Sequence, residues 1–129
     1  MLCFGNNFLA EELRNAGLAV NHATDIVLED QPVEILDKYF DPKCEAVVVG
    51  YDKFMTYAKI CLASFHIQKG AKFFGTNPDK FSYVRGLKVP SCGSMIDLIE
   101  AATKTKPEIP GKPNTFIIDH IINDNKLKK

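Results

Sequence analysis

Residues 46–79 read AVVVGYDKFMTYAKICLASFHIQKGAKFFGTNPD, and this stretch decides the fold. Ala46-Val47-Val48-Val49-Gly50 is a short, unbroken apolar run ending in glycine, the pattern of a strand covered on both faces. Ala58, Cys61, Leu62 and Phe65 then recur at helical spacing, and Gly70 stands where a helix end favours positive φ. Lys72-Phe73-Phe74-Gly75-Thr76 is a second short run, broken by the turn-forming Asn77-Pro78-Asp79. Strand, helix and strand with tight connections predict a βαβ unit and therefore a parallel sheet. Ligands of such sheets meet the residues just beyond the strand carboxyl ends, which here are Tyr51-Asp52 and Asn77-Pro78-Asp79.

Working outward, Leu2–Gly5 reads as another buried strand, and Asn6 or Asn7 can cap a helix with Phe8, Leu9, Leu13 and Ala16 apolar and Gly17 at its end. A short strand is expected at Asp25–Leu28, then a helix with Pro32 in its first turn and Ile35, Leu36, Tyr39 and Phe40 apolar, stopped by Asp41-Pro42. Residues 80–92 fit a hairpin or a long loop. Ser94 with Asp97 resembles a capping box, opening a helix whose apolar face is Met95, Leu98, Ile99 and Ala102. Pro107–Pro113 is a stiff connector and the best candidate for a domain boundary. A last helix over about Asn114–Asn123 carries Phe116, Ile117, Ile118, Ile121 and Ile122. A sheet that starts at residue 2 and a final helix with an uncovered apolar stripe lead us to expect further parts on either side.

The chain has 129 residues, enough for one domain with a core of its own. Sixteen Lys+Arg balance sixteen Asp+Glu, so nothing in the charge implies a nucleic-acid partner; Lys126, Lys128 and Lys129 read as a solvated end. No apolar stretch approaches the roughly 20 residues that span a bilayer, so no membrane partner is expected. Cys3, Cys44, Cys61 and Cys92 form no C-x-x-C pair and read as reduced thiols, which suits the cytoplasm. His22, His66 and His120 lack metal-ligand spacing and read as packing or surface residues, and Cys92 reads as a buried, inert thiol. There is no G-x-G-x-x-G, and Gly111-Lys112-Pro113 is not a phosphate-binding P-loop. Lys112 still stands out. A lysine just ahead of a helix joins an ammonium to the free N–H groups there, two donor sets aimed at one anion.

GYD at 50–52, YAKICLAS at 57–64, KFFGTNPD at 72–79, PSCGSMIDLIEAAT at 90–103 and PEIPGKP at 107–113 follow in one order and spacing. Together they resemble haloacid dehalogenase-like phosphatases with the large α/β cap, the group of 4-nitrophenyl, phosphoglycolate and pyridoxal phosphate phosphatases. The resemblance implies an α/β fold with a mostly parallel sheet flanked by helices. Residues 1–106 would be the cap, and 107–129 a linker and the first helix returning to a catalytic core. It implies hydrolysis of a small phosphorylated metabolite by an aspartate nucleophile with Mg²⁺ in the complete enzyme. Lys112 matches the lysine that neutralises the nucleophile–phosphate charge. Tyr51 and Asp52 match the substrate-facing cap position; Asn77 and Asp79 belong to the TNPD motif, and Ser82-Tyr83 to the tip of the specificity loop at 80–84. Caps of this group also pair as homodimers, for which the helix near Ser94–Thr103 is the expected surface.

The departures from the pattern are specific. No D-x-D-G occurs, no G-D-x-x-x-T-D follows Lys112, and the family's P-G-T-G-S appears as Pro90-Ser91-Cys92-Gly93-Ser94. Without a nucleophile or metal carboxylates, this chain alone is expected to be inactive and to contribute substrate selectivity. The alternative is a non-catalytic α/β dimerisation or binding module. A third reading is an unrelated small α/β binding protein whose motifs match by chance, which the absence of a parallel βαβ unit at residues 46–76 would favour.

Overall fold

The computed structural model describes residues 1–23, 31–111 and 114–124. Along the chain come β1 (Leu2–Phe4), α1 (Asn7–Asn15), β2 (Asn21–His22), α2 (Pro32–Tyr39), β3 (Ala46–Val49) and α3 (Tyr57–Gln68). They are followed by β4 (Lys72–Gly75), β5 (Phe81–Val84), β6 (Leu87–Pro90), α4 (Cys92–Thr103) and α5 (Phe116–Asp124). Four strands form one parallel sheet in the order β2-β1-β3-β4. Val48 of β3 lies between Cys3 and Phe74 in register. The βαβ unit over 46–76 is therefore present, so the absence that would have favoured an unrelated small binding protein is not found. The expected strand at Asp25–Leu28 lies outside the described residues; β2, polar and only two residues long, carries no periodic signal to find it by.

All four residues of β3 are buried, as a central parallel strand requires. Phe4, Val47 and Val49 share a core with Leu62 and Ile67 of α3 and with Ile96 and Ile99 of α4. Each of these large side chains contributes about 1.5–3 kcal/mol by leaving water. Helix α3 packs against β3, α2 and α4 and is buried nearly all round, which places even His66 inside. Its Nε2 accepts the Asp41 N–H at 3.1 Å, which leaves Nδ1 to donate to the Leu62 carbonyl at 2.9 Å. His66 is thus a neutral packing histidine, as its sequence context suggests.

Local signals set the ends of the elements. The Asn6 side chain accepts the Leu9 N–H, the Thr56 hydroxyl accepts the Lys59 N–H, and Gly70 closes α3 at φ 102°. Residues 80–92 form an antiparallel ribbon, not a long loop. Arg85 and Gly86 both have positive φ, the two-residue turn whose twist matches the strands it joins.

Two sequence expectations need correction. Helix α4 begins at Cys92 with Ser91 as its N-cap, so the Ser94/Asp97 capping box does not form. The Ser94 hydroxyl donates to the Lys80 carbonyl and the Asp97 carboxylate takes the Lys80 ammonium, both partners distant in sequence. This rotates the buried face of α4 onto Ile96 and Ile99 and leaves Leu98 and Ala102 exposed. In α1 the buried residue is Ala10; Phe8 and Ala16 are exposed and Leu13 is only half-buried. The connector is bonded to the sheet. Glu108 donates to the Phe73 carbonyl at 2.8 Å and accepts the Gly75 N–H at 2.9 Å, running parallel to β4.

Gly93 is the glycine that the PSCGS sequence retains, and it lets α4 approach the Asn77–Asp79 turn. A Cβ there would stand 2.2 Å from the Pro78 carbonyl oxygen, and backbone cannot move aside cheaply. Gly93→Ala is expected to cost about 2 kcal/mol or more, a fall of roughly 7 °C in thermal midpoint, measured by calorimetry or circular dichroism.

All four cysteines are free. Burial pushes the fully buried Cys3 thiol from 9.0 up to about 11, outweighing the opposing pull of Arg14. The native state then binds more protons than the unfolded chain between those values. Stability is complete below about pH 9 and falls as pH rises towards 11, by up to about 2–3 kcal/mol. Urea titrations at pH 8 and 10.5 should show this loss, and Cys3→Ala should lack that part of it.

Candidate functional site

In a parallel sheet every strand delivers its carboxyl end to the same edge. The order β2-β1-β3-β4 makes chain direction diverge between β1 and β3: β1 leads out to β2 on one side, and β3 leads to β4 on the other. Open α/β sheets form their ligand crevice at such a divergence. A cavity of about 660 Å³ lies there. It is lined by Gly5, Asn6, Asn7 and Phe8 after β1, by Tyr51, Asp52, Lys53 and Phe54 after β3, and by Lys59 of α3. Leu9 packs over the two strand ends, where a Cβ on Gly5 or Gly50 would meet its Cδ2 at 3.0 or 2.6 Å.

The inner wall of the cavity is an ion pair. Lys59 Nζ lies 2.7 Å from Asp52 Oδ2, with both side chains buried. The other carboxylate oxygen, Oδ1, accepts the Phe54 N–H at 2.8 Å, the Asp52 carbonyl accepts the Met55 N–H, and the Asp52 N–H points to Met95 Sδ at 3.4 Å. Asp52 is thereby tied to α3, to α4 and to its own loop. Its neighbour Tyr51 is 50% exposed, and Phe8 and Phe54 are 75% and 69% exposed on the same cavity. Lys53 Nζ sits 4.9 Å from the centre of the Phe54 ring.

The other sequence-predicted positions lie beyond this cavity. The Asn77 side chain accepts the Asp79 N–H at 2.7 Å, closing the turn after β4, while the Asp79 carbonyl accepts the Gly93 N–H. Ser82 and Tyr83 are exposed on β5, with Phe81 and Tyr83 edge to face at 5.6 Å. The ribbon is anchored by Lys80, whose carbonyl accepts from Ser91 N–H and Ser94 Oγ and whose ammonium meets Asp97. Lys112 lies outside the described residues. The sequence reading gave Asn6 and Asn7 only a capping role, passed over Phe54, counted Phe8 as an apolar residue of α1, and gave Asp52 no partner. A lysine in the first turn of a helix, seven residues after a strand-end aspartate, was the available signal for the ion pair.

Lys59→Met leaves the Asp52 carboxylate buried without its cation and is expected to cost about 3–5 kcal/mol in urea unfolding. Adding Asp52→Asn removes the orphan charge, keeps an acceptor for the Phe54 N–H, and should recover most of that loss.

No protein-family model matches the chain. The acid sugar phosphatase of Staphylococcus epidermidis is 30% identical over 126 residues, which is 95% of this chain and 47% of that protein. The glycerol-3-phosphate phosphatase of Rattus norvegicus is 31% identical over 118 residues, 89% of this chain and 37% of that protein. Among solved structures, a hypothetical protein of Pyrococcus horikoshii superposes with a TM-score of 0.76 at 28% identity, covering 95% of this chain and 43% of that one. A thermostable NPPase of Geobacillus stearothermophilus gives 0.74 at 25% identity, covering 100% and 44%. A glycerol phosphate phosphatase of Mycobacterium tuberculosis, solved with magnesium, shares the fold at 0.73 and 22% identity, covering 97% and 33%. The chain thus spans less than half the length of these proteins. In sequence and in fold it is similar to phosphatases of the haloacid dehalogenase-like group.

Proposed function

We propose that this chain is the cap, the substrate-selecting part, of a phosphate-monoester hydrolase that acts on a small phosphorylated metabolite. Residues 1–106 are the cap in this reading, and 107–129 return towards a catalytic core. The observation that carries it is the cavity at the divergence of β1 and β3, which places the GYD motif at the crevice where α/β sheets take ligands. Tyr51 is then a direct substrate contact. Asp52 acts from behind it, its carboxylate being held by Lys59 and the Phe54 N–H. Asn77 and Asp79 shape the turn that leads into the ribbon, and Ser82 and Tyr83 meet the substrate from β5. Lys112 supplies positive charge to the phosphate.

The nucleophilic aspartate is assigned to a part of the enzyme outside this sequence, which has no D-x-D-G. The same holds for Mg²⁺. Among the described residues no group of three His, Cys, Asp or Glu side chains could hold a metal ion. A cytoplasmic setting belongs to the same proposal and is supported by four free thiols. No helix among the described residues is long and apolar enough to cross a membrane. Homodimer pairing through α4 is a second reading, favoured by the exposed Leu98.

The test is a chimera in which this chain replaces its matched segment in the Geobacillus stearothermophilus NPPase. Mg²⁺-dependent hydrolysis of phosphate monoesters is expected, with Lys112→Ala lowering kcat by about 10²-fold or more. A folded, magnesium-loaded chimera that hydrolyses no phosphate monoester would refute the reading.

A further inference from the structure

The geometry points to a leaving-group pocket in which the β1–α1 turn, through Phe8, and the β3–α3 loop, through Tyr51 and Phe54, clasp a flat, apolar group in preference to a polyol. This rests on the phosphatase reading and refines it: the selecting residues include Phe8 and Phe54, which none of the family motifs above contains.

Three observations converge. Phe8 lies far in sequence from Tyr51 and Phe54, yet all three line the cavity of about 660 Å³, within the range of small-molecule sites. Phe8 and Phe54 leave most of their surface to water, although both stand on short, well-fixed segments. Asn6 caps α1 directly before Phe8, and Asp52 binds the Phe54 N–H while Lys59 holds Asp52. Rings set on a rigid frame lose little entropy when a ligand covers them, and aromatic faces favour stacked or edge-on rings. Part of the polar wall is engaged already. Asn6 Oδ1 holds the Leu9 N–H, and Asp52 and Lys59 hold each other. The exposed faces of Phe8 and Phe54 offer a polyol's hydroxyls no partner, whereas a planar ring asks only for apolar cover. Lys53, whose ammonium already lies by the Phe54 ring, adds positive charge at the rim for an anionic ester.

The experiment is an amide-shift titration of the full 129-residue chain with 4-nitrophenyl phosphate, glycerol 3-phosphate and inorganic phosphate in parallel. The expected result is saturable shifts at Asn6–Phe8 and Tyr51–Phe54 with 4-nitrophenyl phosphate alone. Phe8→Ala and Phe54→Ala, both at exposed positions that should fold normally, should each weaken that binding about three- to tenfold. Equal shifts with all three probes, shifts confined to residues 81–84, or no shift at all would overturn the pocket. So would shifts at Phe8 and Phe54 that follow protein concentration instead of ligand, since a second copy would then cover the rings. In the chimera, Phe54→Ala should raise KM for 4-nitrophenyl phosphate several-fold more than KM for glycerol 3-phosphate. An active chimera without that difference counts against the pocket alone, and an inactive one against the phosphatase reading.

Discussion

Taking a carboxylate and an ammonium out of water costs several kcal/mol for each ion, even inside a relaxed protein. Asp52 and Lys59 meet that cost with a 2.7 Å contact and with the Phe54 N–H on the free carboxylate oxygen. Lys59 stands in the first turn of α3, where the helix dipole disfavours a cation, so the carboxylate is also what makes that placement tolerable. One partner closes β3 and the other opens α3. Their pairing fixes the path of the loop between them, and that loop carries Tyr51 and Phe54 to the cavity.

The second constraint is how closely the helices approach the strand ends. Leu9 covers Gly5 and Gly50, Ile96 lies over Gly75, and Gly93 lets the first turn of α4 touch the Pro78 carbonyl. These approaches bring α1 and α4 onto the carboxyl edge from separate parts of the chain. The Cys92 thiol, wedged against the Val49 carbonyl and the Thr76 hydroxyl, fills the space where β3 and β4 end. It packs there, in keeping with its burial.

What the sequence disclosed were features encoded by near neighbours. The run at 46–49 announces a doubly covered strand, Asn6 announces a helix start, and Gly70 announces an end. Features that depend on distant partners stayed hidden. Ser94 and Asp97 have capping-box spacing, but Lys80 claims both side chains and the helix starts earlier. Strand order is likewise silent in a linear pattern. Only when β1 falls beside β3 does Phe8 pass from the apolar stripe of a helix to the wall of a cavity. The motif residues were found one at a time, but their division into a cavity and a ribbon required the fold.

Cavity and ribbon are nevertheless not independent. An isolated two-stranded ribbon is at best marginal in water, so β5–β6 depends on its anchorage at Lys80. That anchorage is the first two turns of α4, through Ser91, Ser94 and Asp97. The same turns present Met95 to the Asp52 N–H and seat Ile96 in the core beside β4. One short helical segment thus sets both the loop that lines the cavity and the ribbon that carries Ser82 and Tyr83. A displacement of α4 would move both together, so under the proposed function selectivity at this edge would depend on the α4 N-terminus as much as on the residues proposed to touch the ligand.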